Sequence, residues 1–508
     1  MEQLLRKSTI RLAGRVLDKQ EECPISGEYN LPEYCSDVSM VLKCFVDPHI
    51  QNRQWNKDQL LVDGNAVVRV WYLDEERREL HSVEFSVPFT CTLHGEEHTD
   101  NSAVELALYT KYLNCRALSS RRIEVRGAVV VRAVAECSVN RCIGSVSEDG
   151  DLFSRTETFA ITVPGKSCDK IFAVTESLEF DNTLPPAEKL LGGDCRAAIR
   201  ECKILAGKVI IKGYVYLHQL YMDNTNMHRT HCLDYTLPFS QILDVGDAGE
   251  GAPYKAFVQI LSDTERCTVG PDGENTMLDV TVKLLVQLQV YHKEEVCLLQ
   301  DAFHGRFPLS AQKEEIALCS MLGTRWETAV LPMQLPLLSG HGCEIIDVIV
   351  QPLMAVVECD DNRAEVKGRL SVCVVGRDAD GEIVCDEFCE EYGLEYDCVG
   401  NVAYVTPTIA DCQYRVVGET MELQVKMCIS LVAYAYCKKL IISDLHVDEE
   451  KPYPQQKITA LLYYADTEES VWDIARCCHT SPRRIMEENA LEKERLDEQM
   501  VIVVPVNS

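Results

Sequence analysis

Two histidines, His81 and His231, hold matching places in the chain: each opens a strand-like run that ends in Pro-Phe, at Pro88-Phe89 and at Pro238-Phe239. An imidazole titrates near neutrality, so a repeated histidine could act as an acid–base group, but its place at a strand start points to a structural role. Cys385, Cys389 and Cys398 crowd one stretch and could ligate a metal. Against that, no Cys-x-x-Cys pair occurs in the chain and no histidine is near them in sequence. No phosphate loop, Gly-x-Ser-x-Gly elbow or His-Glu-x-x-His motif is present. The sequence therefore predicts no catalytic residue, no metal and no cofactor; an enzyme would need a site assembled from scattered residues.

What must position any binding residues is a long chain. At 508 residues it exceeds what one hydrophobic core organises, so several domains are expected. Hydrophobic residues at 46% and charged residues at 26% are ordinary for folded domains. The balance of 50 Lys+Arg against 80 Asp+Glu gives a formal charge of -30, which repels phosphate backbones and anionic membrane surfaces. Nucleic acid is not an expected partner. The first twenty residues carry Glu2, Arg6, Lys7, Arg11 and Arg15, which interrupt any apolar signal sequence. The longest apolar stretch, Val280 to Tyr291, is broken by Lys283, Gln287 and Gln289 and falls short of the ~18 residues that span a bilayer. Without an export signal, the 25 cysteines read as reduced thiols, many of them small core residues within strands, as at Cys373 and Cys428.

An internal repeat organises most of the chain. An apolar strand runs into glycine three times, at Gln59-Leu-Leu-Val-Asp-Gly64, Lys208-Val-Ile-Ile-Lys-Gly213 and Arg363-Ala-Glu-Val-Lys-Gly368. These anchors lie roughly 150 residues apart. Leu31-Pro32 and Leu184-Pro185 open the first two units, and Leu335-Pro336 is a weaker counterpart. In the third unit Tyr392-Gly393 stands at the Pro-Phe position and Cys385 at that of the histidine. Period-two alternation, as at Val125, Gly127, Val129 and Val131, predicts half-buried strands arranged as a β-sandwich or half-barrel. Short helices are expected near Ala187–Leu191 and around Ser102–Leu113. The expected units are residues 1–155, 156–305 and 306–448.

The carboxyl end differs. Residues 449–457 are polar, with two prolines, and read as a linker. Beyond it, residues 458–508 predict strand, helix, helix and strand. Ser470-Val-Trp-Asp473 caps a helix whose stripe is Val471, Ile474, Ala475 and Cys478, and Ser481-Pro482 starts a second helix with Ile485 inward and Asn489 at its end. Met500 to Pro505 supplies the last strand. Trp472 lies about 100° around the helix from Val471, off the stripe, and is the expected anchor for a partner. Arg483 and Arg484 add a positive patch to an acidic chain.

This terminal segment resembles a LysM domain. The matching residues are Glu469-Ser470-Val471-Trp472-Asp473-Ile474-Ala475, then Ile485 with Asn489 and Leu491, then Ile502 with Pro505. The family's glycines fall at Glu468 and Gln499, where side chains would crowd a chitin- or peptidoglycan-type glycan. Three acidic β-rich units followed by LysM resemble the spore coat assembly (SPOCS) domain proteins of spore-forming Firmicutes. That resemblance implies a non-enzymatic scaffold of the mother-cell cytoplasm, recruited to the forespore surface. It implies a LysM domain that binds the stage IV sporulation ATPase and tethers the coat, with other coat proteins as further partners. The residues assigned to partner binding are Trp472, Glu468, Glu469, Ser470, Arg483, Arg484, Asn489 and Leu491.

Overall fold

The alternating Val, Ile and Leu runs become long antiparallel strands in a computed structural model, which describes residues 5–96, 103–146, 151–225, 228–246, 248–337, 344–360, 362–454 and 458–506. Strands account for 77% of it, against two short helices, so the protein is mainly β. The first stretch contains β1 (Leu5–Asn30), β2 (Met40–Asn56), β3 (Gln59–Leu73), β4 (Leu80–His94), β5 (Ala103–Ser119) and β6 (Arg122–Val146). Next come β7 (Leu152–Glu179), β8 (Ala187–Leu205), β9 (Lys208–Asp223), β10 (Thr230–Asp244), β11 (Tyr254–Thr268) and β12 (Met277–His304). Then follow β13 (Leu309–Pro336), β14 (Glu344–Asp360), β15 (Arg363–Arg377), β16 (Ile383–Asp397), β17 (Val402–Val417) and β18 (Thr420–Val447).

Each stretch forms two three-stranded sheets with one strand order. The meanders are β2-β3-β4, β8-β9-β10 and β14-β15-β16; the facing sheets are β1-β6-β5, β7-β12-β11 and β13-β18-β17. Between each pair of sheets lies an apolar core, built on Val62, Val68 and Val125 in the first stretch, Ile211, Val215 and Val280 in the second, and Val366, Val372 and Val425 in the third. The strand–glycine anchors are explained by their cross-strand neighbours. Gly64 stands opposite Phe89, Gly213 opposite Phe239 and Gly368 opposite Tyr392. In each case the aromatic ring lies over the glycine where a Cβ would sit, an arrangement that pins strand register.

The register corrects two expectations. Tyr392, rather than Gly393, matches the phenylalanines, so the position of the histidine belongs to Val384 and not to Cys385. A slip of one residue exchanges the faces of a strand, which is why the sequence motif alone misplaced it. The short helices expected near 187–191 and 102–113 are strands β8 and β5; Ser102 lies outside the described residues. Alanine, leucine and glutamate favour helix only weakly, and pairing of β5 with β6 and of β8 with β9 prevails. The break after the first stretch precedes Leu152, because the start of β7 pairs with the end of β12, so the boundary expected at 155 falls inside a strand.

The three stretches close on one another at two hubs. The first halves of β3, β9 and β15 largely alternate buried residues with half-buried or exposed ones, but their second halves are buried on nearly every residue. There the second face of each meander meets the other two, in a cluster that includes Phe45, Trp71, Leu220, Met222, Ile349 and Val375. The Trp71 indole N–H donates to the Leu191 carbonyl across this contact at 3.0 Å. At the second hub, the far ends of the longest strands pack through Leu12, Ile143, Val163, Leu298, Leu318 and Ile441. A buried polar group joins the three between the hubs: Tyr291 donates to the Glu136 carboxylate at 2.6 Å, and Tyr434 reaches the same oxygen at 3.4 Å. No helix among the described residues is long and apolar enough to cross a membrane.

Candidate functional site

The carboxyl-terminal unit runs β19 (Ala460–Ala465), α1 (Val471–Cys477), α2 (Pro482–Glu488) and β20 (Met500–Pro505). Its helices start where side chains satisfy free amides. The Ser470 hydroxyl accepts from the Trp472 N–H at 3.2 Å, and the Ser481 hydroxyl accepts from the Arg484 N–H at 3.4 Å, with Pro482 in the first turn. Val471, Ile474, Ala475, Ile485, Ile502 and Val504 make a small core, and Cys478 packs on its rim. Asn489 closes α2 and ties it to β20: its amide donates to the Ile485 and Val503 carbonyls, and its carbonyl oxygen accepts from the Val503 N–H at 2.7 Å.

Trp472 is not the exposed anchor that its offset from the stripe suggested. Only 5% of it is exposed. Its ring meets Phe303 of β12 edge-on at 5.0 Å, and its indole N–H donates to Asp301 at 2.9 Å. Helical periodicity registers a helix's own domain; here the flank off the stripe is covered by the body of the protein. Arg476 forms an ion pair with the same Asp301, and Arg155 pairs with Glu494 at 3.5 Å. The linker contributes as well: Tyr453 stacks on His479 at 3.6 Å, and its N–H donates to the Arg306 carbonyl at 2.8 Å. Residues 455–457 of the linker lie outside the described residues. The terminal unit is thus seated on the ends of β7 and β12.

The other expected binding residues divide between scaffold and surface. Glu469 accepts from the Tyr463 hydroxyl at 2.7 Å and from the Asp466 N–H at 2.9 Å, and Leu491 packs on the small core. Both hold the unit together, as do Ser470 and Asn489. Glu468, Arg483 and Arg484 face solvent, Arg483 pairing with Glu487 along α2 at 2.8 Å. Glu468 has φ 65, the left-handed conformation that favours glycine. Gln499, at the other glycine position, donates to the Asp466 carboxylate at 2.8 Å.

An apolar face that carries no sequence motif lies on the outer side of the β19–β20 sheet. Leu462 is 68% exposed, Tyr464 80% and Val501, directly opposite Tyr464, 48%. The signal was legible: Ala460-Leu-Leu-Tyr-Tyr-Ala465 is apolar on both faces, whereas a two-layer unit needs only one.

Elsewhere, the two repeated histidines each pack on a tyrosine ring, His81 on Tyr72 and His231 on Tyr221, each with ring centroids 5.4 Å apart. The phenols reach the Ser36 and Pro185 carbonyls, and His231 sits 2.9 Å from Asp223. Burial alone would raise the Asp223 carboxyl, but hydrogen bonds from Thr225 and His231 hold it below the usual range. The suspected cysteine cluster does not assemble. Cys385 and Cys398 lie near opposite ends of β16, roughly 40 Å apart at strand rise, and Cys385 instead faces Cys373 at 3.0 Å.

The architecture is a mainly β chain with paired meander and long-strand sheets, carrying a small α+β unit seated on one end. The family model described as SipL, SPOCS domain, matches residues 37–118 and 186–264. These spans fall on corresponding strands, β2 into β5 and β8 into β11. Over these two segments the chain is similar to the SipL SPOCS domain, a domain of sporulation proteins. No curated protein and no solved structure matches it.

Proposed function

We propose that this protein is a non-enzymatic spore morphogenetic scaffold: three copies of one SPOCS-like module carry a terminal LysM-like domain that binds the stage IV sporulation ATPase and tethers the coat to the forespore. The observation that carries the reading is the SipL SPOCS match on equivalent strands of two stretches. The shared strand order of the third stretch and the βααβ order of the terminal unit agree with it. Its place of action is the mother-cell cytoplasm, where the ATPase coats the forespore, and further coat proteins are recruited by the body.

The contact is assigned to the outer β19–β20 face, because Trp472, Asn489 and Leu491 are engaged within the fold. A peptidoglycan or chitin chain is the weaker ligand, since Glu468 and Gln499 place side chains where a glycan would need close backbone approach. Purified full-length protein should bind the purified ATPase, and Leu462→Asp/Tyr464→Asp should weaken capture at least tenfold while leaving the circular dichroism spectrum intact. Failure of the wild type to bind defeats the proposal; unchanged binding by the double variant moves the contact off this face. Retention on purified peptidoglycan would revive the glycan reading.

A further inference from the structure

Where the three meanders meet, one scaffold presents different chemistry at each contact. Arg69, His218 and Cys373 hold the same place on β3, β9 and β15, opposite Glu84, Asp234 and Glu387. Ser82, Cys232 and Cys385 stand opposite Trp71, Leu220 and Val375 in the same way. At the first contact Arg69 bonds to Glu84 and to the Gly193 carbonyl. At the third, Lys43 pairs with Glu387 at 2.5 Å beside Cys373 and Cys385. At the second, a ring nitrogen, a thiol and a carboxylate converge.

His218 Nε2 is 3.0 Å from Asp347 Oδ1, and Cys232 Sγ is 3.7 Å from the same oxygen. All three donor atoms lie within 4.8 Å of one another. Zinc bonded tetrahedrally to nitrogen, oxygen and sulfur holds those donors about 3.3–3.6 Å apart, given bonds of about 2.0–2.3 Å. The two separations from Asp347 Oδ1 differ from this by only a few tenths of an ångström, and the nitrogen and sulfur lie within 4.8 Å of each other. The other ring nitrogen, Nδ1, is 2.7 Å from the Asp234 carboxylate, the arrangement that orients a ligating histidine from behind. Asp347 is 2% exposed, and its second oxygen, Oδ2, is buried without a hydrogen-bond partner. A cavity of about 10 Å³, lined by His218 and Asp347 among others, adjoins the group and has room for one water as a fourth ligand.

We propose that His218, Cys232 and Asp347 bind one divalent ion of borderline softness, zinc by preference, which clasps β9 and β10 to β14 of the next stretch. The mixed nitrogen, sulfur and oxygen donor set selects such an ion over calcium or magnesium. Binding replaces the proton on His218 Nε2 and that on the Cys232 thiol, so up to two protons leave to solvent for each ion bound. This site rests only on the described contacts and is independent of the terminal unit and of ATPase binding.

The test uses full-length, tag-free protein stripped with chelator and titrated with Co²⁺. One equivalent should produce a thiolate-to-cobalt charge-transfer band, with zinc displacing it. Cys232→Ser and His218→Ala should abolish the band, Asp234→Asn should weaken affinity about 10–100-fold, and Cys385→Ser, at the matching place in the third stretch, should leave it unchanged. Should the ligand variants misfold, zinc-edge absorption on the wild type decides: one sulfur with nitrogen and oxygen neighbours supports the site. Absence of the band in wild type, its survival in folded Cys232→Ser, or a sulfur-only shell overturns it.

Discussion

The body from β1 to β18 and the terminal unit from β19 to β20 are held together by opposite means. In the body, strand register depends on partners far away in sequence: β1 pairs with β6 and β7 with β12, each across a whole stretch, and rings over Gly64, Gly213 and Gly368 fix where the strands lie. In the terminal unit the determinants are local. Two serine caps, one asparagine and a handful of apolar residues build it, and its core is completed by Phe303 and Phe153 from the body. The body should thus be sensitive to added atoms at crossing points, and the terminal unit to lost packing and lost hydrogen bonds.

Trp472→Ala is expected to have the largest effect, a loss of about 3–5 kcal/mol from the terminal unit. Hydrogen exchange should rise across residues 460–506 while protection in β1–β18 is retained; equal loss in both regions would show that the two are one cooperative block. Next is Gly213→Ala, where the new methyl meets both the Phe239 ring and the Ala198 backbone oxygen. Denaturant unfolding should report about 1–3 kcal/mol. Gly368→Ala should be milder, because the nearest atoms there belong to the end of the Tyr392 ring, which can shift. Equal losses would show that the two rings are equally fixed.

Smaller changes sharpen the contrast from the terminal side. Glu468→Gly should raise the stability of that unit by about 0.5–1 kcal/mol, relief of the left-handed backbone being partly offset by the freedom glycine gains when unfolded. A fall in melting temperature would mean that the 4.0 Å contact of Glu468 with Arg495 matters more than the strain. Least of all is the alkaline limb. The hydrogen bond to the Glu469 carboxylate, with burial, raises the Tyr463 phenol from 10.0 to about 12. The folded state keeps a proton that the unfolded chain loses. Its contribution is therefore full below pH 10 and disappears as pH rises towards about 12. Tyr463→Phe should flatten that loss, read as the difference in melting temperature from wild type across this range.

Several features were legible because their causes are local. Ser470, Ser481-Pro482, Asn489 and the Met500–Pro505 strand fall where caps and alternation placed them. The strand–glycine anchors fall on β3, β9 and β15. The alanine- and leucine-rich stretches of β5 and β8 misled, because helix propensity is weaker than the sheet pairing that claims them. The Tyr392 register was out of reach of a motif read on one strand, since register is a property of two.

By itself, then, the sequence determined a mainly β body with recurring strand–glycine anchors, the elements of the small terminal unit and the absence of the familiar catalytic motifs. Only the tertiary structure decided that the three meanders meet face to face, that Trp472 is covered by β12, and that His218, Cys232 and Asp347 converge from two stretches of chain. The reason is physical. Caps and alternation act over a few residues and leave their mark in the order of the letters, whereas a contact between β9 and β14 depends on where two separately built sheets come to rest.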